Sequence, residues 1–499
     1  MTIGKCSQIV ILSLSVLVSV GTAQPSLTVY NQNFAVVRDR LTLNLRQGIN
    51  EINVTDITAH LEPDSVILRD PTGRHAIQIL EQNYRSDPVS QGLLLSLFEG
   101  KEIEFLTNDE KIIKGRIIRS GYVPHQSGMQ RYGSRYTQRQ YQNVSNSQPT
   151  IEVDEKLRFN LPGLPLFPSL SDDTILKPTI HWILNTDRKG RLEAELSYVS
   201  GGMSWKADYS MLAGADTDEL NVIGWVTIDN QSGKSFDNAR IKLMAGDVSK
   251  IQPDQDEYRY ASMVASPGGS MPAPVSEKAF DEYHLYTLNR PATLRDRETK
   301  QVEFLRAEEV ECEQLYVYDG VKIDHNRYRH YSPDNLRQNR DYGTDCNPKV
   351  WVMKEFENSE ANNLGIPLPR GVVRFYRRDD DGQLEFTGEN IIDHTPKDET
   401  VRVYTGNAFD LVGERRRTDY QIDTSHDWLD EAFEIKVRNH KEKGAVEIRV
   451  VEHLYRWINW EIVAKSDDFI KTDSQTVEFR VRVPANGEKV VTYKIHYTW

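Results

Sequence analysis

Apolar and polar residues alternate along most of the chain after residue 23, and this pattern constrains the fold more than any other feature. The stretch 26–57, SLTVYNQNFAVVRDRLTLNLRQGINEINVTDI, alternates in this way around turn-forming residues such as Gly48. Successive side chains of a β-strand point to opposite faces, so a period of two is typical of strands in half-buried sheets. We therefore predict a mainly β protein.

The first 23 residues have a different composition. Lys5 precedes an apolar run from Ile9 to Val20, which ends at the small residues Gly21-Thr22-Ala23. This order is typical of a signal peptide cleaved after Ala23, and a short buried helix is the alternative. Cys6 precedes the apolar run and so is not the lipid-bearing cysteine of a mature lipoprotein. We expect residues 1–23 to be removed and the protein to reside in the periplasm or outside the cell.

The net charge of the chain argues against general nucleic-acid binding, and its hydropathy argues against a membrane-spanning helix after the N-terminus. The formal net charge is -13, whereas nucleic-acid binding requires a basic face. After the N-terminus, no apolar run approaches the roughly 18–20 residues of a membrane-spanning helix. We expect no nucleic-acid partner and no transmembrane anchor.

Turn-forming and low-hydropathy stretches divide the chain. Asp87-Pro88 and Gly100 bracket the segment predicted to form one short helix. We predict an N-terminal β domain (24–90), a small barrel-like segment with a mobile Arg/Tyr loop (91–159), a first β-sandwich domain (160–320) with a mobile Pro/Gly/Ser insertion (253–278), a linker excursion (321–348) and a second β-sandwich domain (349–499).

Two segments share one order of elements, which favours an immunoglobulin-like sandwich in each half. Residues 224–247 are typical of a strand, a turn that begins at Asn230, and a second strand, and residues 434–454 repeat this order with Asn439 in place of Asn230. Each is followed downstream by a further strand, at 298–305 and 486–497.

Four stretches together resemble one protein family. They are VSGGMSWKADYSMLAG (199–214), GWVTIDNQSGKSFDNARIKLMAGDV (224–248), NNLGIPLPRGVVRFYRRD (362–379) and GENIIDHTPKDETVRVYTGNAFDLVGERRRTDY (388–420). They are similar to the exported bacterial proteins of domain of unknown function 4139, a group that includes mucoidy-inhibitor-A-like proteins. The resemblance implies the fold class and export, and it carries no catalytic residues. The heptad segment of the mucoidy-inhibitor branch does not occur here.

One candidate binding segment interleaves basic and aromatic residues. It lies in GMQRYGSRYTQRQYQNVSNSQP (128–149), where such residues can stack on and clamp a glycan or a single strand of nucleic acid, and a polar exposed loop is the alternative. The candidate binding residues are Arg131, Tyr132, Arg135, Tyr136, Arg139 and Tyr141.

Cys312 and Cys346 are the only cysteines left after cleavage of residues 1–23. Export to an oxidising compartment permits a bond between them, so we predict a disulfide that closes the excursion, with two separate thiols as the alternative.

Three polar clusters look like sites and are better explained as turns. Gly233-Lys234-Ser235 lacks the earlier glycine of a phosphate-binding loop, because Ile228 stands there. Asp379-Asp380-Asp381-Gly382 lacks the ligand spacing of a calcium loop, and Asp381-Gly382 is typical of a type I′ hairpin turn. In IIDHTPKDE (391–399), Asp393 and His394 should face opposite sides of a strand, and Pro396 suits the second position of a turn. We predict no metal site and no cofactor.

The sequence thus favours an exported, non-enzymatic binding or scaffold protein of the bacterial cell envelope whose partner is an envelope protein or a glycan. The alternative is an envelope hydrolase with an inter-domain site, built on His394 with Asp393 or on His453 beside Glu452.

Overall fold

A computed structural model describes residues 16–17, 24–74, 76–85, 90–122, 148–168, 177–214, 219–246, 248–250, 275–280, 282–425 and 427–499. Strands account for 62% of the structure and helices for 5%, arranged in several sheets, so the predicted mainly β, multi-domain sandwich class is confirmed.

Three sheets are formed mainly by the first 300 residues. A four-stranded sheet has the order β1 (Val16–Leu17), β4 (Gly48–Thr55), β12 (Thr179–Thr186), β6 (Ile77–Arg85). A five-stranded sheet has the order β10 (Lys156–Arg158), β9 (Thr150–Val153), β8 (Ile112–Arg119), β7 (Glu102–Leu106), β11 (Leu164–Leu166). An eight-stranded sheet has the order β17 (Val275–Phe280), β18 (Tyr283–Leu288), β16 (Phe236–Ala245), β2 (Ser26–Tyr30), β3 (Phe34–Leu45), β13 (Gly190–Gly201), β5 (Ile67–Arg69), and β19 (Ala292–Leu294) pairs with β16.

Two further sheets include the C-terminal strands. A second five-stranded sheet has the order β20 (Glu298–Val310), β15 (Leu220–Asn230), β14 (Met203–Ala213), β23 (Gly371–Arg378), β24 (Leu384–Ile392). A nine-stranded sheet has the order β28 (Trp460–Lys465), β31 (Gly487–Thr498), β26 (Trp428–Asn439), β25 (Thr400–Asp423), β22 (Lys349–Glu357), β21 (Glu313–Asp319), β27 (Val446–His453), β30 (Thr476–Val483), β29 (Phe469–Lys471).

The described chain contains three short helices: α1 (Gln91–Leu97), α2 (His325–Tyr328) and α3 (Pro333–Gln338). The predicted short helix is α1. Its N-cap is Ser90, whose hydroxyl accepts a hydrogen bond from Leu93 N, and Gly100 follows it with a left-handed φ of 79°. The apolar face of α1 places buried Leu95 against a small core with Phe105 and Ile151.

The chain forms two compact units. Unit 1 takes the described residues of Met1–Lys206, Val226–Ser266 and Ser270–Val302, and unit 2 those of Ala207–Trp225 and Glu303–Trp499. The predicted segment 160–320 contributes to both units. Val275–Lys278, at the end of the predicted insertion, lie in β17.

The core of unit 2 follows directly from sequence alternation. Strand β26 alternates half-buried and buried residues along its whole length, and its buried positions, such as Phe433, Ile435 and Val437, join one apolar cluster. Burying each such side chain contributes roughly 1.5–3 kcal/mol, which is why the alternating stretches form the sheets.

Two local predictions are corrected by the structure. The segment predicted to be barrel-like forms an open path of five strands, from β10 to β11, within the described residues. The hairpin between β23 and β24 is also not a type I′ turn. Gly382 N donates to Asp379 O at 2.9 Å, and within 379–383 only Gly382 has a positive φ. A type I turn followed by a left-handed glycine needs one positive φ, whereas type I′ needs two.

The order of elements predicted for both 224–247 and 434–454 is present in the backbone. Strand β15 ends at Asn230 and is the sheet neighbour of β20, and β26 ends at Asn439 and pairs with β31. The Asn230 side chain accepts from Ser232 N and donates to Lys234 O, while that of Asn439 accepts from Lys441 N and donates to Gly444 O. Both asparagines are buried, so each satisfies the backbone polar groups of its turn without water.

The predicted disulfide is absent: Cys312 and Cys346 are not bonded to each other. Cys312 lies one residue before β21. Cys346 forms an isolated β-bridge with Val321, which lies two residues beyond the end of that strand. At about 3.3 Å per residue, β21 alone separates the two by roughly 20 Å. A disulfide requires Cα atoms within about 7 Å.

Buried ion pairs organise unit 2. Arg415 on β25 makes two 2.9 Å bonds to Glu452 on β27, and Tyr493 on β31 donates to the same carboxylate at 2.5 Å. Arg456 bonds Glu431 on β26 at 2.7 and 2.8 Å. Burial and the neighbouring Glu452 raise the pKa of Tyr493 well above its ordinary value, so this phenol stays protonated and donates.

The same arginines hold the excursion 321–348. Arg456 donates to the carbonyls of Arg337, Asn339 and Tyr342 at 3.0, 2.8 and 3.1 Å, and Arg415 donates to Gly343 O at 2.8 Å. The segment is therefore fixed to the nine-stranded sheet through its own main chain.

Replacing Arg456 should destabilise unit 2 strongly, because Arg456→Met leaves the fully buried Glu431 without its main partner and frees four excursion carbonyls. We expect a loss of about 3–5 kcal/mol in the free energy of unfolding, measured by urea denaturation, together with new proteolytic cleavage within 321–348.

Arg416→Met is the matched control, because its side chain is 66% exposed beside Glu434 and should change stability by no more than about 1 kcal/mol. Equal effects of the two substitutions would show that the buried network does not hold this region.

Candidate functional site

A polar cleft of about 550 Å³ opens in unit 1. Three separate parts of the chain line it: the segment after β4, the end of β15 with the turn that begins at Asn230, and the segment between β19 and β20 with the start of β20. Its lining residues are Ala59, His60, Asp229, Gln231, Gly233, Asp296, Arg297 and Thr299.

Main-chain hydrogen bonds fix these parts of the chain to one another. Ala59 N donates to Ser232 O at 2.7 Å, and Arg297 N donates to Asn230 O at 2.6 Å. Gly233 has a left-handed φ of 80°, and a Cβ there would lie 2.7 Å from the Cβ of Ala59, so glycine permits this close approach. The cleft wall is therefore set by the backbone and does not depend on ligand.

Both carboxylates of the cleft are oriented by neighbouring groups. Asp229 accepts from Gln231 Nε2 at 2.9 Å and from Thr299 Oγ1 at 3.2 Å. Asp296 accepts from Gly233 N at 2.8 Å, and Arg297 Nε lies 3.7 Å from its second oxygen. An ionised carboxylate has about four acceptor positions, so these contacts leave acceptor capacity on each.

Lys234 is not a cleft residue, although Gly233-Lys234-Ser235 resembles part of a phosphate-binding loop. Its ammonium is buried and lies 2.8 Å from Asp39. The surrounding chain is strand β15, a turn and strand β16, as the sequence predicted, whereas a phosphate-binding loop precedes a helix.

The cleft therefore presents polar and charged groups to a ligand. It offers carboxylate oxygens as acceptors and the 89%-exposed Arg297 side chain as a donor. Hydrogen-bond donors and acceptors at fixed positions suit a ligand rich in hydroxyl groups. The sequence reading missed this site because the three parts that line it are distant in the chain, and only the turn at Asn230 left a recognisable pattern.

The candidate binding residues Arg131, Tyr132, Arg135, Tyr136, Arg139 and Tyr141 lie outside the described residues. The same holds for the predicted signal peptide, apart from Val16–Leu17, and for most of the predicted insertion 253–278.

The IIDHTPKDE cluster forms a turn, one residue later than predicted. The chain reverses at Lys397-Asp398, and Asp398 has a left-handed φ of 64°. Buried Asn358 holds this turn, since its Nδ2 donates to Pro396 O at 2.8 Å and its main-chain O accepts from Asp398 N at 2.8 Å. His394 accepts from Arg370 N at 3.1 Å, and the side chain of Asp393 is 91% exposed.

His453 does not act with Glu452, because adjacent strand residues face opposite sides and Glu452 is buried in the arginine network. Its partners are Asp319, 3.0 Å from Nε2, and Thr476, 3.3 Å from Nδ1. The hydrogen bond to Asp319 raises the pKa of His453 above its ordinary value. The Asp319 carboxylate and the Thr476 hydroxyl thus hold the two ring nitrogens of the imidazole.

Two structural findings concern metals and membranes. Within the described ranges, His, Cys, Asp and Glu side chains form no group of three or more that could hold a metal ion. No helix in the part of the chain that the structure describes is long and apolar enough to cross a membrane.

No protein-family model matches the chain, and no curated protein is significantly similar to it.

The turn at 395–398 should depend on Asn358 and not on His394. Asn358→Ala removes the bonds to Pro396 O and Ile366 O and the acceptor of Gly365 N, so we expect a loss of about 2–4 kcal/mol in the free energy of unfolding. His394→Ala should cost less than about 1 kcal/mol and leave the metal content of the purified protein unchanged. Bound zinc or manganese that disappears with His394→Ala would refute the turn assignment.

The His453–Asp319 pair should make stability depend on pH. Because the folded pKa exceeds the unfolded value of about 6.5, the contribution of the pair is complete below that value and is lost as pH rises through the folded pKa. His453→Gln should therefore destabilise the protein more at pH 5.5 than at pH 8.5. The difference should stay below about 1 kcal/mol, since the imidazole is 42% exposed and screened by solvent.

Urea denaturation at the two pH values measures this difference, with His440→Gln, an exposed histidine of the same unit, as the control. A pH dependence that His453→Gln leaves unchanged would show that another group is responsible.

Proposed function

We propose that the protein is an exported, non-enzymatic binding or scaffold protein of the bacterial cell envelope, and that the cleft of unit 1 binds a hydroxyl-rich glycan. The observation that carries the proposal is the pair of oriented carboxylates, Asp229 at the end of β15 and Asp296 between β19 and β20, in a region fixed by main-chain hydrogen bonds. A site already ordered without ligand loses little conformational entropy on binding.

The chemistry of the cleft supports a glycan over other ligands. A carboxylate can accept from two neighbouring hydroxyl groups at once, and the guanidinium of Arg297 can donate to ring or hydroxyl oxygens. None of the lining side chains is Phe, Tyr, Trp or a large aliphatic residue, so an apolar ligand would bury little apolar surface here.

Location in the envelope is supported by sequence. The apolar run that ends at Gly21-Thr22-Ala23 is typical of export, and the resemblance to the family of domain of unknown function 4139 agrees with it. On this proposal the mature chain begins at Gln24, which intact-mass measurement of protein from the envelope fraction tests directly.

The second candidate function is an envelope hydrolase that uses Thr476, His453 and Asp319. The two distances of 3.3 and 3.0 Å favour it, since they give the order of nucleophile, base and orienting carboxylate. These groups lie within unit 2, on one sheet.

The double substitution Asp229→Asn and Asp296→Asn should abolish glycan binding through the cleft. Amides preserve shape and remove charge and acceptor capacity, so we expect at least about a tenfold loss of affinity on an array of envelope glycans, with the melting temperature nearly unchanged.

Asp379→Asn with Asp380→Asn, on the exposed hairpin loop of unit 2, removes the same charge elsewhere and should leave binding intact. Failure of the wild-type protein to retain any glycan, or equal losses in both double variants, would overturn the cleft as the ligand site. Hydrolysis of an array glycan that ceases with His453→Gln would favour the hydrolase.

A further inference from the structure

The excursion 321–348 is an unusually long connection between two paired strands, β21 and β22. Hairpin connections are usually two to five residues, and much longer ordered loops are usually functional. This one is held by buried guanidinium groups that bond its main-chain carbonyls. Its side chains are left to face solvent, and most of them are exposed.

A ladder of tyrosines extends from the buried network to the surface of the excursion. Tyr455, whose hydroxyl donates to Gly343 O at 3.0 Å, meets Tyr342 edge to face at 5.2 Å between ring centroids. Tyr342 meets Tyr328 at 4.9 Å, and Tyr328 meets Tyr331 at 5.5 Å, again edge to face. Tyr331 is 44% exposed. The ring contacts of the ladder therefore hold the ring of Tyr331 in position at the surface.

The residues beside Tyr331 are cationic. The stretch 325–333, HNRYRHYSP, contains Arg327 and Arg329 and lies between Asp324 and Asp334, in a chain with a formal net charge of -13. Arg329 and His330 are exposed. Arg327 lies over the ring of Tyr328 at 5.3 Å, and its guanidinium is 3.7 Å from Asp345. Guanidinium groups match the geometry of carboxylate and phosphate, and an exposed ring can stack on the apolar face of a sugar.

We propose that Arg329-His330-Tyr331, the exposed tip of the excursion, binds an anionic polysaccharide through the carboxylate or phosphate groups of that polysaccharide. The surface lies in unit 2 and differs from the cleft of unit 1. The proposal rests on the proposed function in one respect, namely that the polysaccharide belongs to the cell envelope. Arg329 supplies the attraction for anions, and Tyr331 supplies a stacking surface that costs little entropy because it is already held.

The test measures binding of the full mature chain to three polymers: polygalacturonate for carboxylates, poly(glycerol phosphate) for phosphates, and dextran as the neutral control. We expect binding to at least one polyanion, none to dextran, and weaker binding as salt increases. Arg329→Glu should weaken binding at least about tenfold, and Tyr331→Ala about threefold or more. Whichever polyanion binds more tightly identifies the chemical source of the anion.

Arg416→Glu is the matched control, since it reverses one exposed arginine on β25 and should leave affinity within about twofold. Urea denaturation of each variant checks that unit 2 stays folded. Absence of binding to both polyanions, or equal weakening by Arg329→Glu and Arg416→Glu, would overturn the proposal. Asp229→Asn with Asp296→Asn should retain polyanion binding, so failure at the cleft and failure at the tip are distinguishable.

Discussion

The buried pair of Arg415 and Glu452 is the interaction on which the shape of unit 2 depends. In the hydrogen-bonded order of the nine-stranded sheet, β22 and β21 lie between the strands that carry these two residues. Neighbouring strands are about 4.8 Å apart, so a flat sheet would hold the two residues too far apart for contact. Bonds of 2.9 Å therefore require the sheet to curl over its own core. Removing two charges from water is costly, and the hydrogen bonds with the Tyr493 hydroxyl and Gly343 O offset part of that cost, although Arg415 Nη2 has no hydrogen-bond partner within the described residues.

Buried asparagines that hold turns are a recurrent feature of the structure. Asn230, Asn358 and Asn439 each sit in a turn, and each amide donates to main-chain carbonyls and accepts from a main-chain N–H. An unpaired buried amide or carbonyl costs about 1–3 kcal/mol, so one side chain that satisfies three backbone groups lets an irregular turn lie inside a sandwich. The cleft of unit 1 follows from this, because the turn at Asn230 is rigid enough to carry Asp229 and Gly233 at fixed positions.

Sequence predicts the local features well because they depend on near neighbours. Alternation along 26–57 gave the strands β2, β3 and β4, and the repeated pattern around Asn230 and Asn439 gave two turns that the structure contains. Contacts between residues that are distant in sequence could not be predicted from these local patterns. Nothing in the run ERRRTDY (414–420) distinguishes Arg415, which is buried, from Arg416, which is exposed, except their alternation. The disulfide prediction was wrong for the same reason, because the sequence positions of Cys312 and Cys346 do not show that strand β21 separates them.

The polarity of the excursion explains why buried arginines, in addition to the packed rings of Tyr328 and Tyr342, hold it in place. Between residues 321 and 348 the aliphatic side chains are limited to Val321, Ile323 and Leu336, so burial of aliphatic surface contributes little to ordering it. Ordering a backbone costs roughly 1–2 kcal/mol per residue, and a polar loop must offset that by other means. Carbonyl groups are present at every residue, and a guanidinium offers five donors in a fixed plane. A few buried arginines can therefore hold the main chain while its side chains remain at the surface, where their charge and aromatic rings stay accessible to a partner.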